Sequence, residues 1–271
     1  MPLTLRHVVL GLAAAATLAA CNRDGDDKAA TTPAPVPGAV VTPADTAAPM
    51  AYESKTPFAD VSLTLPPAIK SQPDLHARLY ASAVRDLRQF SEGAQADRTE
   101  AGGDGGSAPY DKTITVTPGA ETGKLFSLVR GVSEYTGGAH PNPSATAILW
   151  DKALKREITG ADLFSRADLS ALDIALCAAV NAERKRRNPN AQPITLTSSL
   201  WACPRAGALP FVLAPSTAPG KAGGLVFLIG PYQVGPYSDG SYEVTVPLSA
   251  FRGLLSPAYA DEFGGAPKPT A

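Results

Sequence analysis

The sequence has few charged residues, few aromatic residues and no surplus of charge of either sign. Charged residues make up 18% and aromatic residues 7% of its 271 residues. Because 24 Lys and Arg residues balance 25 Asp and Glu residues, no overall field attracts a polyanion, and we expect no nucleic-acid partner. The hydrophobic content of 44% is typical of a globular protein and argues against a disordered chain or a multi-span membrane protein.

Compact catalytic and metal-binding motifs are also missing. The sequence contains no Gly-x-Ser-x-Gly elbow, no His-Glu-x-x-His helix and no Walker loop. Apart from His7, near the N-terminus, its histidines are His76 and His140, which limits acid–base chemistry near neutral pH. We therefore expect no enzymatic activity, no cofactor and no metal site. The alternative is an envelope hydrolase that uses His140 with Glu134 or Asp151.

The N-terminal residues predict export and a lipid anchor. The apolar run from Val8 to Ala20 is too short to span a bilayer, and its charged start and small-residue end are typical of a secretory signal peptide over residues 1–20. The ending Leu18-Ala19-Ala20-Cys21 resembles the lipobox of bacterial lipoproteins, which implies a lipidated Cys21. An ordinary signal peptide that happens to end near a cysteine is the alternative. By the same resemblance, Asn22 implies a periplasmic protein held at the outer membrane, with the lipid as its only membrane contact.

Two segments have the composition of disordered chain. Residues 29–51 are mostly Ala, Pro and Thr and show neither a helical nor a strand period. Such a segment buries too little surface to offset its ordering entropy. We therefore predict an extended tether over residues 21–55 and a flexible tail over the Gly- and Pro-rich residues 264–271.

Residues 56–151 show the pattern of one helix and several strands. Residues 58–65 alternate apolar and polar side chains, as a strand does. Ser71 and Asp74 have the spacing of a capping box. The apolar positions of the helix that follows lie on one face: Leu75, Leu79, Ala83 and Leu87. After a Gly- and Asp-rich stretch that predicts an exposed loop over 97–109, alternation predicts antiparallel strands over 110–116, 124–135 and 145–151.

Residues 152–263 show the same plan with different details. Ser165 and Asp168 have capping-box spacing, and a helix then places Leu169, Leu172, Leu176 and Ala179 on one side. Four cations, Arg184 to Arg187, close this helix and complement its dipole; a nucleic-acid patch is the weaker interpretation. Strands are predicted over 196–201, 211–214, 225–229 and 242–246, with an Asp239-Gly240 hairpin turn before the last. The two halves predict an α+β fold of two tandem modules, each a helix packed on an antiparallel sheet.

The three cysteines are Cys21, Cys177 and Cys203. If Cys21 carries a lipid, the other two form an even pair in an oxidising compartment, where a disulfide is the default expectation. Such a bridge stabilises by about 3 kcal/mol and requires Cα atoms about 4.4–6.8 Å apart. Two buried thiols or a metal site are the alternatives, although neither cysteine belongs to a Cys-x-x-Cys or Cys/His ligand cluster.

Two segments far apart in the chain have the most distinctive sequence. The first, YTGGAHPN, runs from Tyr135 to Asn142, and its two glycines and its proline also suit a tight structural loop. The second, GPYQVGPYSDGSYEVTVPL, lies within residues 227–248. It contains a Tyr-x-x-x-Pro-Tyr pattern and a terminal Val-Pro-Leu, supplied by Tyr232, Pro236 and Tyr237 and by Val246, Pro247 and Leu248.

These segments, with ITGADLF at residues 158–164, resemble the RsiV/PdaC-like family of envelope proteins. The family includes the lysozyme-sensing anti-sigma factor RsiV and the peptidoglycan deacetylase PdaC. The resemblance covers residues 57–255 and implies a PdaC N-terminal-type module over 56–151 and an RsiV C-terminal-type module over 152–263. Gly235 stands where the family usually has Ala. The resemblance does not extend to the sigma-binding and transmembrane segments of RsiV or to the catalytic domain of PdaC.

From the resemblance and the missing motifs we predict a non-catalytic, lipid-anchored envelope protein. It is expected to bind a cell-wall component or a wall-acting protein, with peptidoglycan fragments or lysozyme as the implied partners. A purely structural lipoprotein is a further alternative. The candidate binding loop comprises Tyr135, Thr136, Gly137, Gly138, His140 and Asn142, and the signature hairpin comprises Tyr232, Pro236 and Tyr237.

Overall fold

The structure, a computed structural model, describes residues 48–102 and 108–269. They belong to one compact unit of the chain, Thr42–Ala271. The predicted signal peptide, the lipidated Cys21 and most of the predicted tether lie outside the described residues. Within the described residues, no helix has both the length and the apolar character needed to cross a bilayer.

The described residues form nine strands in two sheets and three α-helices. The strands are β1 (Ala51–Lys55), β2 (Ala59–Thr64), β3 (Tyr110–Glu121), β4 (Leu125–Tyr135), β5 (Asn142–Asp151), β6 (Arg156–Glu157), β7 (Phe211–Pro215), β8 (Ala222–Ile229) and β9 (Tyr242–Pro247). The helices are α1 (Pro73–Glu100), α2 (Gly160–Leu163) and α3 (Ser170–Arg187). The predicted α+β class is confirmed.

The first sheet has the order β1-β2-β3-β4-β5-β6. Its neighbouring strands are antiparallel except β2 and β3, which are parallel. The exception arises because α1 connects them, and a helical crossover returns the chain to the same end of the sheet. α1 packs on these two strands and buries Leu75, Ala83 and Leu87, so the predicted apolar stripe is confirmed while the sheet is mixed rather than wholly antiparallel.

The second sheet has the order β7-β8-β9 and is antiparallel throughout. α3 packs on β9 and buries Leu172, Leu176 and Val180. β8 is buried at every position because apolar groups cover both of its faces. On the face away from α3, Val226 and Leu228 join an apolar cluster with which side chains of β4 and β5 pack. The two sheets therefore share apolar packing.

Neither predicted capping box forms. Ser71 lies in a 3₁₀ turn and donates a hydrogen bond to the Ala68 carbonyl, and α1 begins instead at Pro73, which has no N–H to satisfy. Ser165 donates to the Leu254 carbonyl, a contact from far along the chain that outcompetes the local cap. The capping box that does form joins Thr159, the N-cap of α2, to Asp162 in its first turn.

Both segments predicted to be disordered contain ordered backbone. Residues 51–55, assigned to the tether, form β1 and pair with β2, which satisfies backbone groups that an edge strand leaves open. In the predicted tail, the Gly264 N–H donates to Ala222 and the Lys268 N–H donates to Pro215, at 3.0 and 2.8 Å. A Cβ atom at Gly223 would lie 2.6 Å from the Ala266 backbone, so this glycine admits the close approach of the tail.

Three local predictions are wrong. Residues 97–100 continue α1 rather than opening a loop, because Ala94 and Arg98 are buried one turn apart on the same face. Residues 196–201 form turns rather than a strand, since the Ser198 hydroxyl accepts a hydrogen bond from the Thr195 N–H, and hydroxyl side chains compete locally with strand pairing. The connection between β8 and β9 is the long loop 230–241 rather than a two-residue turn.

Candidate functional site

The β4–β5 turn contains the candidate binding loop. Gly137 and Gly138 have φ values of +94° and +101°, a region that side-chain-bearing residues rarely adopt. The Tyr135 hydroxyl donates a 3.0 Å hydrogen bond to the Gly138 carbonyl and closes the turn. Residues 136–142 are all exposed. The sequence thus builds a tight loop that presents its polar backbone and His140 to solvent.

An ionic network holds β4 where it leads into this loop. The Lys112 ammonium lies 2.7 Å from Asp86 and 3.1 Å from Glu134, the residue before Tyr135. Burial opposes the charge of Lys112, but the hydrogen bonds to the two carboxylates outweigh it and raise the Lys112 pKa above its usual range. The network therefore fixes the end of β4 electrostatically.

The long β8–β9 loop has one buried anchor and one exposed aromatic ring. Val234 is buried, and the Gln233 side-chain oxygen accepts a 2.7 Å hydrogen bond from the Gly230 N–H. Tyr232 has φ +65°, an uncommon conformation for a large side chain, and is 57% exposed. Such a conformation persists only where surrounding structure imposes it and is frequent at binding sites.

The two loops meet in an aromatic cluster formed by His140, Tyr237 and Tyr232. The rings of His140 and Tyr237 stack with centroids 3.7 Å apart and an interplanar angle of 16°. The Tyr237 hydroxyl donates a 2.7 Å hydrogen bond to the Pro141 carbonyl, and its ring centroid lies 5.5 Å from that of Tyr232. The structure therefore brings the candidate binding loop and the signature hairpin into direct contact.

Pro236 and Gly235, two residues of the Tyr-x-x-x-Pro-Tyr pattern, differ in burial. Pro236 is exposed and leads into the 3₁₀ turn Tyr237–Asp239. Gly235 is buried, and a Cβ atom there would overlap the Asp239 carboxylate. The Ala that usually occupies this position in the resembling family would therefore require the Asp239 side chain to move.

His140 has no carboxylate partner among the described residues. Its Nδ1 lies 3.0 Å from the Pro141 carbonyl. Glu134 pairs instead with Lys112. Asp151 is buried and accepts hydrogen bonds from the Ala153 and Leu154 amides and the Tyr259 hydroxyl. The structure does not bring together the acid–base pair that the hydrolase alternative uses, and the described residues contain no group of three or more side chains able to hold a metal ion.

Cys177 and Cys203 form a disulfide with Cα atoms 5.2 Å apart, which confirms the predicted pairing. The bridge joins α3 to the segment that follows residue 194. Asn181 reinforces this junction, because its side chain donates to the Ile194 carbonyl and accepts from the Ile194 N–H, both at 2.8 Å. The bridge thus fixes α3 against its neighbouring segment.

Arg187 contacts the end of the β8–β9 loop, a contact that the sequence does not predict. The sequence predicts only that its cationic run complements the helix dipole, but the Arg187 guanidinium lies 3.8 Å from the centroid of the Tyr242 ring. It also donates to the Asp239 and Ser241 carbonyls at 2.8 and 2.9 Å. Arg187 therefore holds the end of the β8–β9 loop, and nothing in the local sequence links the cationic run to a loop so far along the chain.

Comparison with known proteins finds a family that matches the C-terminal part of the chain and solved structures that resemble its fold. Residues 161–249 match the family DUF3298, described as a protein of unknown function. This region includes Tyr232 and Tyr237 but not His140. No curated protein sequence matches the chain significantly.

Two solved structures of the same family resemble this fold. A DUF3298 family protein from Pseudomonas aeruginosa PAO1 aligns with a TM-score of 0.51 and 16% identity, over 76% of this chain and 87% of that chain. A member from Bacteroides fragilis NCTC 9343 aligns with a TM-score of 0.50 and 17% identity, over 75% of this chain and 86% of that chain. At these identities the likeness shows the fold alone.

Proposed function

We propose that the protein is a non-catalytic, lipid-anchored protein of the cell envelope that binds a cell-wall component or a wall-acting protein such as lysozyme. The observation that supports this most is the aromatic cluster, in which two segments of distinctive sequence form one solvent-facing surface. The anchor rests on the N-terminal sequence, where Cys21 ends a lipobox-like segment.

The chemistry of the aromatic cluster suits binding better than catalysis. Tyr232 and His140 are exposed, so their ring faces and polar edges are available to a ligand. Tyrosine combines a large apolar surface with a hydrogen-bonding hydroxyl and loses little conformational entropy when it is ordered, which is why it is enriched at binding surfaces. The ring stacking also orders this surface before a ligand arrives, and such preorganisation favours affinity.

The resemblance to RsiV and PdaC supports the choice of partner. Both YTGGAHPN and the signature hairpin resemble segments of RsiV and PdaC, and both segments lie at the aromatic cluster. RsiV senses lysozyme and PdaC acts on peptidoglycan. We therefore place the ligand of this protein among muropeptides and wall-acting proteins, and we place the contact at the aromatic cluster.

Calorimetric titration of the mature chain with muropeptides and, separately, with lysozyme tests this proposal. Tyr232→Ala is expected to weaken binding at least about tenfold, the effect of losing a central aromatic contact. Leu154→Ala is the matched control, because Leu154 is 58% exposed against 57% for Tyr232, and it should leave affinity unchanged. If neither ligand binds, the proposed function is wrong. If Tyr232→Ala and Leu154→Ala bind with the same affinity, the proposed surface is wrong.

Two further assays separate the remaining alternatives. Turnover of muropeptides or chromogenic esters that disappears in His140→Ala would establish the hydrolase alternative and contradict a purely binding role. Cys21→Ser should release the protein from membranes or leave it unprocessed, and a wild-type protein that fractionates as soluble would end the lipoprotein proposal.

A further inference from the structure

A separate pocket of about 450 Å³ lies beside the aromatic cluster. The turn after Gly235 contributes to both sites: Pro236 and Ser238 line the pocket, while Tyr237 between them stacks on His140. Arg184 and Arg187 in the last turn of α3, and Asn188 just after it, also line the pocket. We call this site the arginine pocket.

Arg184 is the incompletely partnered cation of this pocket. It is half-buried, and one terminal nitrogen donates a 2.6 Å hydrogen bond to the Gln192 carbonyl. Among the described residues, no carboxylate lies within ion-pair distance of its guanidinium, and its Nε is buried without a hydrogen-bond partner. Arg187, by contrast, pairs with Glu183 at 2.8 Å. Partial burial of a cation that has no counter-ion costs free energy, and a bound anion would offset that cost.

The surrounding charges favour an anion at Arg184. The last turn of α3 bears four cations, Arg184 to Arg187. Two carboxylates lie nearby, and both already have partners. Glu183 accepts from Arg186 and Arg187, and Asp239, which also lines the pocket, accepts from the Tyr242 hydroxyl at 3.3 Å. Among the residues that line the pocket, two cations, Arg184 and Arg187, face one carboxylate, Asp239, so the cations outnumber the carboxylates.

We propose that the arginine pocket binds a small oxyanion, a phosphate or a carboxylate group, with Arg184 as its principal donor. A guanidinium presents donors in a planar fork that matches both groups, and hydrogen bonds between charged groups are the stronger kind. Ser238 also lines the pocket, and its hydroxyl group can serve as a second donor. This site stands apart from the proposed wall-binding function, because a small oxyanion can occupy it whether or not the aromatic cluster binds a ligand.

Titration of the mature chain with inorganic phosphate and, separately, with acetate tests the pocket. The experiment is run at low ionic strength, since salt screens exposed charges, and sodium chloride serves as the ionic-strength blank. Arg184→Gln is expected to weaken binding at least about tenfold, because it removes the fork and its charge. Lys185→Gln is the matched control: it makes the same charge change in the same helical turn, and its expected effect is below about twofold.

Comparing phosphate with acetate identifies the class of anion that the pocket binds. Two milder variants test whether a loss of binding in Arg184→Gln results from misfolding. Preference for phosphate assigns the pocket to phosphorylated ligands, and preference for acetate assigns it to carboxylates. Arg184→Lys and Ser238→Ala should each weaken binding less than Arg184→Gln, with melting temperatures close to wild type. Absence of binding by the wild-type chain, or equal losses in Arg184→Gln and Lys185→Gln, would overturn the proposal.

Discussion

The two loops that form the aromatic cluster are built in opposite ways. The β4–β5 turn has no buried side chain between residues 136 and 142 and depends on two glycines and a short hydrogen-bonded closure. The β8–β9 loop is anchored in the interior by Val234 and held at its end by Arg187. The contrast teaches that both loops present groups to solvent while the β8–β9 loop gives the shared surface its rigidity, and the following predictions test this difference.

Removing the disulfide should have the largest effect on the anchored side. The bridge fixes α3, which carries Arg187, and replacing both Cys177 and Cys203 by Ser should lower the free energy of unfolding by about 3 kcal/mol. Chemical denaturation of oxidised wild type and of the double variant measures the difference. Equal unfolding midpoints would show that α3 is held by packing alone.

Truncating the anchor of the β8–β9 loop should have the next largest effect. Val234 is 1% exposed, and Val234→Ala should cost about 2 kcal/mol through lost apolar burial and the cavity left behind. Thermal unfolding gives the change in stability, and binding at the aromatic cluster should weaken in parallel. A variant with wild-type stability would mean that Val234 does not anchor this loop.

The β4–β5 turn should respond more weakly. Gly138→Ala places a side chain at φ +101°, where no neighbouring atom obstructs it, so the expected cost is backbone strain of about 1 kcal/mol. The same unfolding assay measures it, with Gly93→Ala as a control because Gly93 lies within α1 in open space. In that helical position the change to Ala should be neutral or stabilising.

The smallest effect concerns pH. The Arg186 hydrogen bond, which outweighs burial, lowers the pKa of Glu183 to about 2. Because the folded-state pKa lies below the unfolded value, the pair stabilises the protein above about pH 5 and this contribution disappears as pH falls toward 2. Solvent screening keeps it below about 1 kcal/mol. The melting-temperature gap between wild type and Glu183→Gln should therefore close on acidification, and a gap independent of pH would contradict this assignment.

The regular parts of the fold follow from local patterns in the sequence. Alternation predicts β2 and β9 closely, because the two faces of each strand differ in burial. It also predicts the bounds of β4 closely, although the burial of that strand does not alternate. The stripe from Leu75 to Leu87 likewise predicts the buried face of α1. These elements are predictable because neighbouring residues supply the signal.

The rest depends on contacts that no local window contains. Ser165 has the spacing of a helix cap, yet it bonds to Leu254. The parallel pairing of β2 with β3 depends on where α1 returns the chain. The sequence singled out His140 and Tyr237 separately, but their stacking requires the packing of both sheets. Arg184 lies in a run of four cations, and only the fold distinguishes it from its neighbours.

The central claim is that the two loops form one surface, and a double-mutant cycle between His140 and Tyr237 tests it most directly. Unfolding free energies are measured for wild type, His140→Ala, Tyr237→Ala and the double variant. The stacked rings predict a coupling energy of about 0.5–1.5 kcal/mol. Strictly additive effects of the two substitutions would show that the loops do not meet in solution and would contradict the account.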